Sequence, residues 1–275
     1  MSMSTDRVWL DEQFSLDRIT DIEQVFARRA EAARQGREGF DYVSGIPYGP
    51  HAGHRLNIFP AQNTDSPGPV QIFIHGGFWR SLDADLFSFL APGFVPFGGT
   101  LVVIDYPLMP TARMADVVGA AKLAVQWVES NIARYGGDPD RIFISGNSAG
   151  GHLVAELLDG AGTTIKGGAA LSGIFDLEPV SRSFQNDSLS LTTDEVARFS
   201  PANRTLAITA PLIVTVGGDE TEVFQQQTTD FARQCGVEPM IVAGQDHITI
   251  VLDGLADPAA DLNKAVRRQM GLLAD

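Results

Sequence analysis

Cysteine is nearly absent from this chain of 275 residues: Cys235 stands alone. One thiol closes no intrachain disulfide, builds no cysteine-based zinc cluster and forms no CxxC redox pair. On a helix it reads as a small buried hydrophobe. Positive charge is scarce too, with 20 Lys and Arg against 34 Asp and Glu and a formal net charge of −14. Nucleic acid binding needs a basic stripe, so no nucleic-acid partner is expected. No apolar run approaches the length of a bilayer span. The N-terminus "MSMSTDRVWLDEQFSLDR" carries charges where a secretory signal needs an apolar core. These absences predict a soluble, cytoplasmic protein with no membrane partner. What remains, 44% hydrophobic and 20% charged, is the composition of an ordinary globular protein.

The apolar pattern predicts alternating strands and helices. From Ser15 to about Arg37, Ile19, Ile22, Val25 and Phe26 recur at helical spacing, so residues 1–45 read as an N-terminal helical segment. A polar, Gly/Pro-rich stretch follows, then the strand "RLNIF". Beyond it "VQIFI", "TLVVIDY", "RIFIS", "GGAALSG", "PLIVTVG" and "PMIVA" read as strands. "ADVVGAAKLAVQWVESNIARYG", "AGGHLVAELL", "EVFQQQTTDFARQCG" and "PAADLNKAVRRQMGLL" read as helices. This rhythm predicts an α/β fold over residues 1–275, a single domain with a mostly parallel central sheet covered by helices on both faces. Residues 174–210 break the rhythm and are too long for an ordinary connection, so they read as a cap-like excursion contributing to a pocket, or else as a surface insertion.

The segment "RIFISGNSAGGHL" runs a buried strand through Gly146-Asn147-Ser148-Ala149-Gly150 into a helix. Strand, G-x-S-x-G and helix together make an elbow that lifts a serine oxygen above the sheet edge at a helix N-terminus. A serine hydroxyl needs a base and an orienting carboxylate, and after such an elbow they follow in the order acid, then histidine. His247 is the one histidine far downstream of Ser148, in a loop after a late strand. His51, His54, His75 and His152 read as structural or solvated. For the acid, Asp219 stands just past the end of "PLIVTVG", at the edge where parallel sheets collect ligands. Of its competitors, Glu220 is expected to point away and Asp246 to lie too close in sequence to bond the ring of His247.

Acyl transfer also needs N–H donors for a developing oxyanion. One is Ala149, after the serine; the others belong to the loop after the third strand. "HGGFWR", residues 75–80, fits that loop, with the N–H groups of Gly77 and Phe78 as donors.

Together these residues resemble the α/β-hydrolase type arylformamidases, or kynurenine formamidases, which lie near the hormone-sensitive-lipase-like esterases. "YGPHAGHRLNIFPA", "HGGFW", "GNSAGGHL", "LSGIFDLEPVSRSFQNDSL", "GGDETEVFQQQTTDF" and "QDHITIV" stand in the family's order from about Tyr48 to Leu252. The resemblance implies an α/β-hydrolase fold, a Ser148, Asp219 and His247 triad, no cofactor and no metal. Its implied substrate is a small aromatic amide or ester, chiefly an N-formyl aryl amine, bound in a pocket to which the excursion contributes. Phe78, Trp79, Phe175 and Phe184 are the expected aromatic walls. Arg80 stands where the family often has glutamine, and either pairs with a substrate carboxylate or faces solvent. Phe78 replaces a usual tyrosine, Asn147 a histidine and Ile248 an aromatic residue. A homodimer is an open expectation for the assembly. Two other readings of the same residues are a broad carboxylesterase and a non-catalytic ligand binder.

Overall fold

Short apolar runs, unbroken by polar residues, form strands that need cover on both faces. A computed structural model of the chain describes residues 6–160 and 164–274, so the first five residues of the expected N-terminal segment lie outside it. Among the described residues, eight strands form one sheet in the order β1-β2-β4-β3-β5-β6-β7-β8. They are β1 Val43–Pro47, β2 Arg55–Phe59, β3 Gly68–Ile74, β4 Thr100–Ile104, β5 Gly137–Asn147, β6 Gly167–Leu171, β7 Leu212–Gly217 and β8 Met240–Val242. The β1/β2 and β2/β4 pairings are antiparallel, and those from β4 to β8 are parallel.

Successive side chains of a strand point to opposite faces, and this period sorts the core into two layers. Val70, Ile72 and Ile74 of β3 join Ile142 and Ile144 of β5 on one face, against Val117, Ala121 and Val125 of the helix Met114–Asn131. Phe73 and Phe143, one residue out of phase, pack on the other with Leu262 and Val266 of the helix Asp261–Gln269. The mostly parallel sheet with helices on both faces is the α/β-hydrolase arrangement expected from the sequence. No helix among the described residues is long and apolar enough to cross a membrane.

The N-terminal segment departs from expectation. Its helix spans Ile22–Gly39, and Leu16–Arg18 is a separate tight turn whose Asp17 N–H donates to Ser15 Oγ at 3.1 Å. A further helix, Arg7–Gln13, precedes it. This segment is tied across the C-terminal edge of the sheet. Gln185 Nε2 donates to Phe14 O at 3.2 Å, Phe184 N to Asp11 Oδ1 at 2.6 Å, and Thr221 Oγ1 to Gln13 O at 2.9 Å. Phe184 and Gln185 belong to the 174–210 excursion, which folds into short helices such as Leu177–Ser181 and Thr193–Arg198. The polar stretch before "RLNIF" holds β1, which the sequence pattern missed because its residues are largely exposed.

β3 and β5 are adjacent and parallel, with Ile74 opposite Gly146. The helix after β5, Ala149–Leu158, comes so close to the end of β3 that a Cβ on Gly150 would sit 1.9 Å from Ile74 O. Gly150→Ala is therefore expected to push β3 and the elbow apart and to cost about 3 kcal/mol. Thermal unfolding followed by circular dichroism checks it, with a midpoint several degrees below that of the unaltered chain.

Candidate active site

The parallel order places the ends of β3, β5, β7 and β8 along one edge, where connecting loops converge. Ser148 follows β5 directly with φ 60° and ψ −118°, a left-handed conformation that costs a non-glycine residue about 1–3 kcal/mol. Its surroundings hold it there: Ser148 N donates to Leu171 O at 2.8 Å, and Ser148 O accepts from His152 N at 3.1 Å. Ala149 opens the following helix, so its N–H has no intrahelical acceptor.

The "HGGFWR" loop leaves β3 beside this elbow. Gly77, Phe78 and Trp79 have φ of 99°, 48° and 54°, a left-handed run that glycine alone adopts freely. The N–H groups of Arg80 and Ser81 both turn back onto Gly77 O, at 3.0 and 3.2 Å. Among the described residues, those of Gly77 and Phe78 donate to no protein acceptor. Below the loop, Tyr106 Oη donates to His75 O at 2.9 Å, and His75 Nδ1 bonds Gly76 O at 2.7 Å. A carbonyl only accepts, so His75 carries its proton on Nδ1. Burial lowers its pKa to about 4.

Trp79 is fully buried, and its Nε1 donates to His152 Nδ1 at 3.2 Å, while His152 Nε2 bonds Phe199 O at 2.9 Å. An indole only donates and a carbonyl only accepts, so this pair fixes a neutral imidazole protonated on Nε2. Burial lowers the His152 pKa to about 4 as well. Trp79 thus braces the loop from beneath and is not the cavity wall expected from the sequence. Phe175 is not a wall either: it is fully buried and stacks on Phe231, with ring centroids 3.8 Å apart.

The carboxylate beside His247 belongs to Glu220, not to Asp219. Glu220 Oε2 lies 2.6 Å from His247 Nδ1, and its side chain is fully buried. Glu220 Oε1 accepts from Gly217 N at 2.8 Å and from Ser172 Oγ. Asp219 is exposed, and its N–H donates to Gln245 O at 3.0 Å. The reason is a turn: Glu220 N donates to Gly217 O at 3.3 Å, which closes the chain after β7 and brings residue 220 inward. Asp246 is occupied in its own loop, its Oδ1 accepting from Ile248 N and Thr249 N at 2.8 and 2.9 Å. A carboxylate on Nδ1 puts the ring proton there and leaves Nε2 with a free lone pair. Phe224 packs on the ring with centroids 4.1 Å apart.

Ser148 and His247 line one cavity of about 360 Å³. Of the residues expected in its wall, Arg80, Phe78 and Phe184 are there; Arg80 Nη2 donates to Gln185 Oε1 at 2.8 Å. The sequence reading missed Phe14, Phe26 and Arg29, which the N-terminal segment contributes. Helical spacing marked Phe26 for a helix, but nothing in the pattern told which part of the sheet that helix covers. Phe14, Phe78 and His247 also line a second cavity of about 720 Å³ on the side of Asp219 and Glu222.

The family model described as BD-FAE matches residues 56–166, and that of the prolyl oligopeptidase family residues 120–252. Kynurenine formamidase of Danio rerio is 26% identical over 98% of both chains. That of Salmo salar is 26% identical over 82% of this chain and 81% of its own. A probable isoprenylcysteine alpha-carbonyl methylesterase of Arabidopsis thaliana is 36% identical over 40% of this chain and 23% of its own. A solved structure from silicibacter sp. tm1040, named provisionally as a thioesterase, superposes with a TM-score of 0.83 at 27% identity, covering 92% of this chain and 97% of that one. The carboxylesterase EstE1, cloned from a metagenomic library, shares the fold with a TM-score of 0.69 at 17% identity over 92% and 98%.

Two outcomes follow from the geometry. Glu220→Gln is expected to lower the turnover of a chromogenic ester about 10²- to 10⁴-fold, as loss of an orienting carboxylate does elsewhere. Asp219→Asn is expected to change it by less than about threefold, as befits an exposed charge. Steady-state rates of the two variants decide between the neighbours. The second concerns acid stability. An unfolded chain takes up protons at His75 and His152 near pH 6.5, whereas the folded chain refuses them down to about pH 4, so stability falls as pH drops between these values. Asp105, raised to about 6 by burial, works in the opposite sense, as do Glu156 and Glu129, which burial also raises; Glu31, lowered to about 2 by its hydrogen bond from Arg34, works with the histidines. Unfolding midpoints from pH 7 to 4.5 are expected to fall. His152→Gln, which keeps an acceptor for Trp79 and a donor for Phe199, is expected to flatten the slope.

Proposed function

We propose that this α/β-hydrolase of the arylformamidase family is a metal-independent serine hydrolase that removes a formyl or other small acyl group from an aryl amine. The observation that carries the proposal is the buried Glu220–His247 pair on the wall of the cavity that holds the strained Ser148. In this reading His247 Nε2 takes the proton of Ser148 Oγ as the oxygen attacks the acyl carbon. The oxyanion that forms meets the N–H groups of Gly77, Phe78 and Ala149, which donate to no acceptor among the described residues. Collapse breaks the C–N bond, and the proton on His247 passes to the departing aryl amine. Water then gives its proton to His247 and attacks the acyl enzyme, and Ser148 recovers its proton as the carboxylic acid leaves. Glu220 keeps the Nδ1–H tautomer throughout and offsets the imidazolium charge.

The aromatic lining favours an aryl substrate. Phe14, Phe26, Phe78, Phe87, Phe89 and Phe184 face a cavity of about 360 Å³, within the ordinary range for a small ligand. N-formylkynurenine fits that chemistry, and the full-length similarity to two kynurenine formamidases supports it. A second reading, a carboxylesterase acting on small aryl or alkyl esters, draws on the local 36% identity to a methylesterase and on the esterase fold neighbours. The same residues serve both.

Ser148→Ala is expected to lower turnover on the order of 10⁴- to 10⁶-fold while leaving the unfolding midpoint near that of the unaltered chain. A fluorophosphonate is expected to label Ser148 and no other residue, read by mass spectrometry of the peptide. Comparison of kcat/KM on N-formylkynurenine and p-nitrophenyl acetate separates formamidase from esterase. Failure of the label together with full activity of the Ser148→Ala chain would sink the serine mechanism.

A further inference from the structure

A carboxamide taken out of water normally finds a partner at one end at least. Gln13, Asn57, Gln71, Gln185, Gln227 and Asn263 are buried and each makes such a bond, as Gln71 Nε2 does to Ser145 Oγ at 2.8 Å. Asn147 is the exception. It is only 6% exposed, its Nδ2 has no partner, and among the described residues its Oδ1 accepts no hydrogen bond. Asn147 ends β5 one residue before Ser148, and the two-residue period of the strand directs its side chain to the face of Phe143. On that face Phe87, Phe89 and Val251 line the Ser148 cavity together with Asn147. A Cβ placed on Gly76 would lie 3.1 Å from Ser148 Cβ and 3.4 Å from Asn147 Oδ1, so the amide oxygen and the side chain of the nucleophile border the same gap.

We propose that Asn147 is a substrate-contacting residue that selects amides over esters, its Oδ1 accepting the N–H of the scissile bond. The proposal rests on the hydrolase reading above and names a determinant within it. The carbonyl oxygen of the substrate meets the N–H groups of Gly77, Phe78 and Ala149 and needs no further donor. The N–H of a secondary amide is the polar group still without a partner, and Phe87, Phe89 and Val251 offer it none. When Ser148 Oγ adds to the acyl carbon, the amide nitrogen loses its conjugation and turns pyramidal. Its new lone pair has to face His247 Nε2 to take the proton, and an acceptor on the N–H holds the nitrogen in that sense. An ester has no such hydrogen. Its leaving oxygen carries two lone pairs and needs no such hold, and Asn147 then stays unpaired, an unfavourable state for a buried amide.

Two substrates test it: 4-nitroformanilide, which carries a scissile N–H, and 4-nitrophenyl acetate, which carries none. The ratio of kcat/KM for the anilide over the ester is expected to fall about ten- to hundredfold on Asn147→Leu, which keeps a branched side chain and loses the acceptor. Asn147→Ala, a second variant should the first fail to fold, is expected to lower the ratio alike. Asn147→Asp keeps the acceptor and is expected to retain most of the ratio, whatever its charge does to the two rates separately. An unchanged ratio in Asn147→Leu, or a ratio that Asn147→Asp loses as fully, overturns the proposal; if that chain still takes a fluorophosphonate at Ser148, the serine mechanism stands without it. If the unaltered chain cleaves neither substrate and takes no label, the hydrolase reading fails and binding decides for Asn147. Formanilide and N-methylformanilide, which lacks the N–H, are then compared by calorimetry on the Ser148→Ala chain. Formanilide binding weakened at least tenfold more than that of its N-methyl analogue by Asn147→Leu, with circular dichroism unaltered, supports the contact. Equal effects on the two ligands, or no binding of either, remove it.

Discussion

The backbone of the helix that follows Ser148 lies against the end of β3, with no room for a methyl group between Gly150 and the Ile74 carbonyl. That contact sets the distance between two loops that come from different parts of the chain. β5 ends in the serine, β3 ends in the left-handed Gly77-Phe78-Trp79 run, and their parallel pairing brings both ends to the same edge. Everything else at the site is built around this junction. Trp79 reaches under the elbow helix to His152, and Tyr106 holds the carbonyls of His75 and Gly76, so the two strained turns share one buried support. The support is made of neutral imidazoles because burial strips a charged one of its hydration, and the carboxylates of Asp105 and Glu156, 3.7 and 3.9 Å from His75 Nε2 and His152 Nε2, stand beyond hydrogen-bond distance.

Electrostatics at the edge divide into two kinds. One is a closed pair: Glu220 is buried, accepts from Gly217 N and Ser172 Oγ, and meets His247 Nδ1, so its charge is satisfied inside the protein. The other is open. Arg29 and Arg80 enter an aromatic cavity in an acidic protein without a carboxylate of their own. The N-terminal segment creates this second region, since it carries both Arg29 and the Phe14 backbone carbonyl that holds Gln185, the partner of Arg80.

Much of the fold was legible in the sequence. The strands "VQIFI", "TLVVI" and "RIFIS" and their intervening helices follow from apolar periodicity, because a strand buried on both faces leaves a continuous hydrophobic run. Strand, G-x-S-x-G and helix identified the elbow for the same local reason: its backbone demands glycine at fixed offsets. Asp219 was a different matter. Adjacent carboxylates in "GGDET" look alike to any local rule, and the choice between them depends on a single turn bond, from Glu220 N to Gly217 O. Trp79 and Phe175 went astray likewise, since a large aromatic residue near a site serves equally well as its floor or as its wall.

The sequence by itself determined the parallel α/β sheet, the serine at its elbow, the glycine-built loop beside it and the histidine downstream. These are local requirements of backbone conformation and of apolar spacing, so they are written in neighbouring residues. Only the tertiary structure decided which carboxylate meets His247, which aromatic residues face the cavity and which arginines enter it. Those outcomes depend on segments far apart in the chain, with Phe14 against Phe78 and Phe224, and Arg29 over Phe87. No local pattern encodes such contacts, because they arise only when burial of the whole edge forces the segments together.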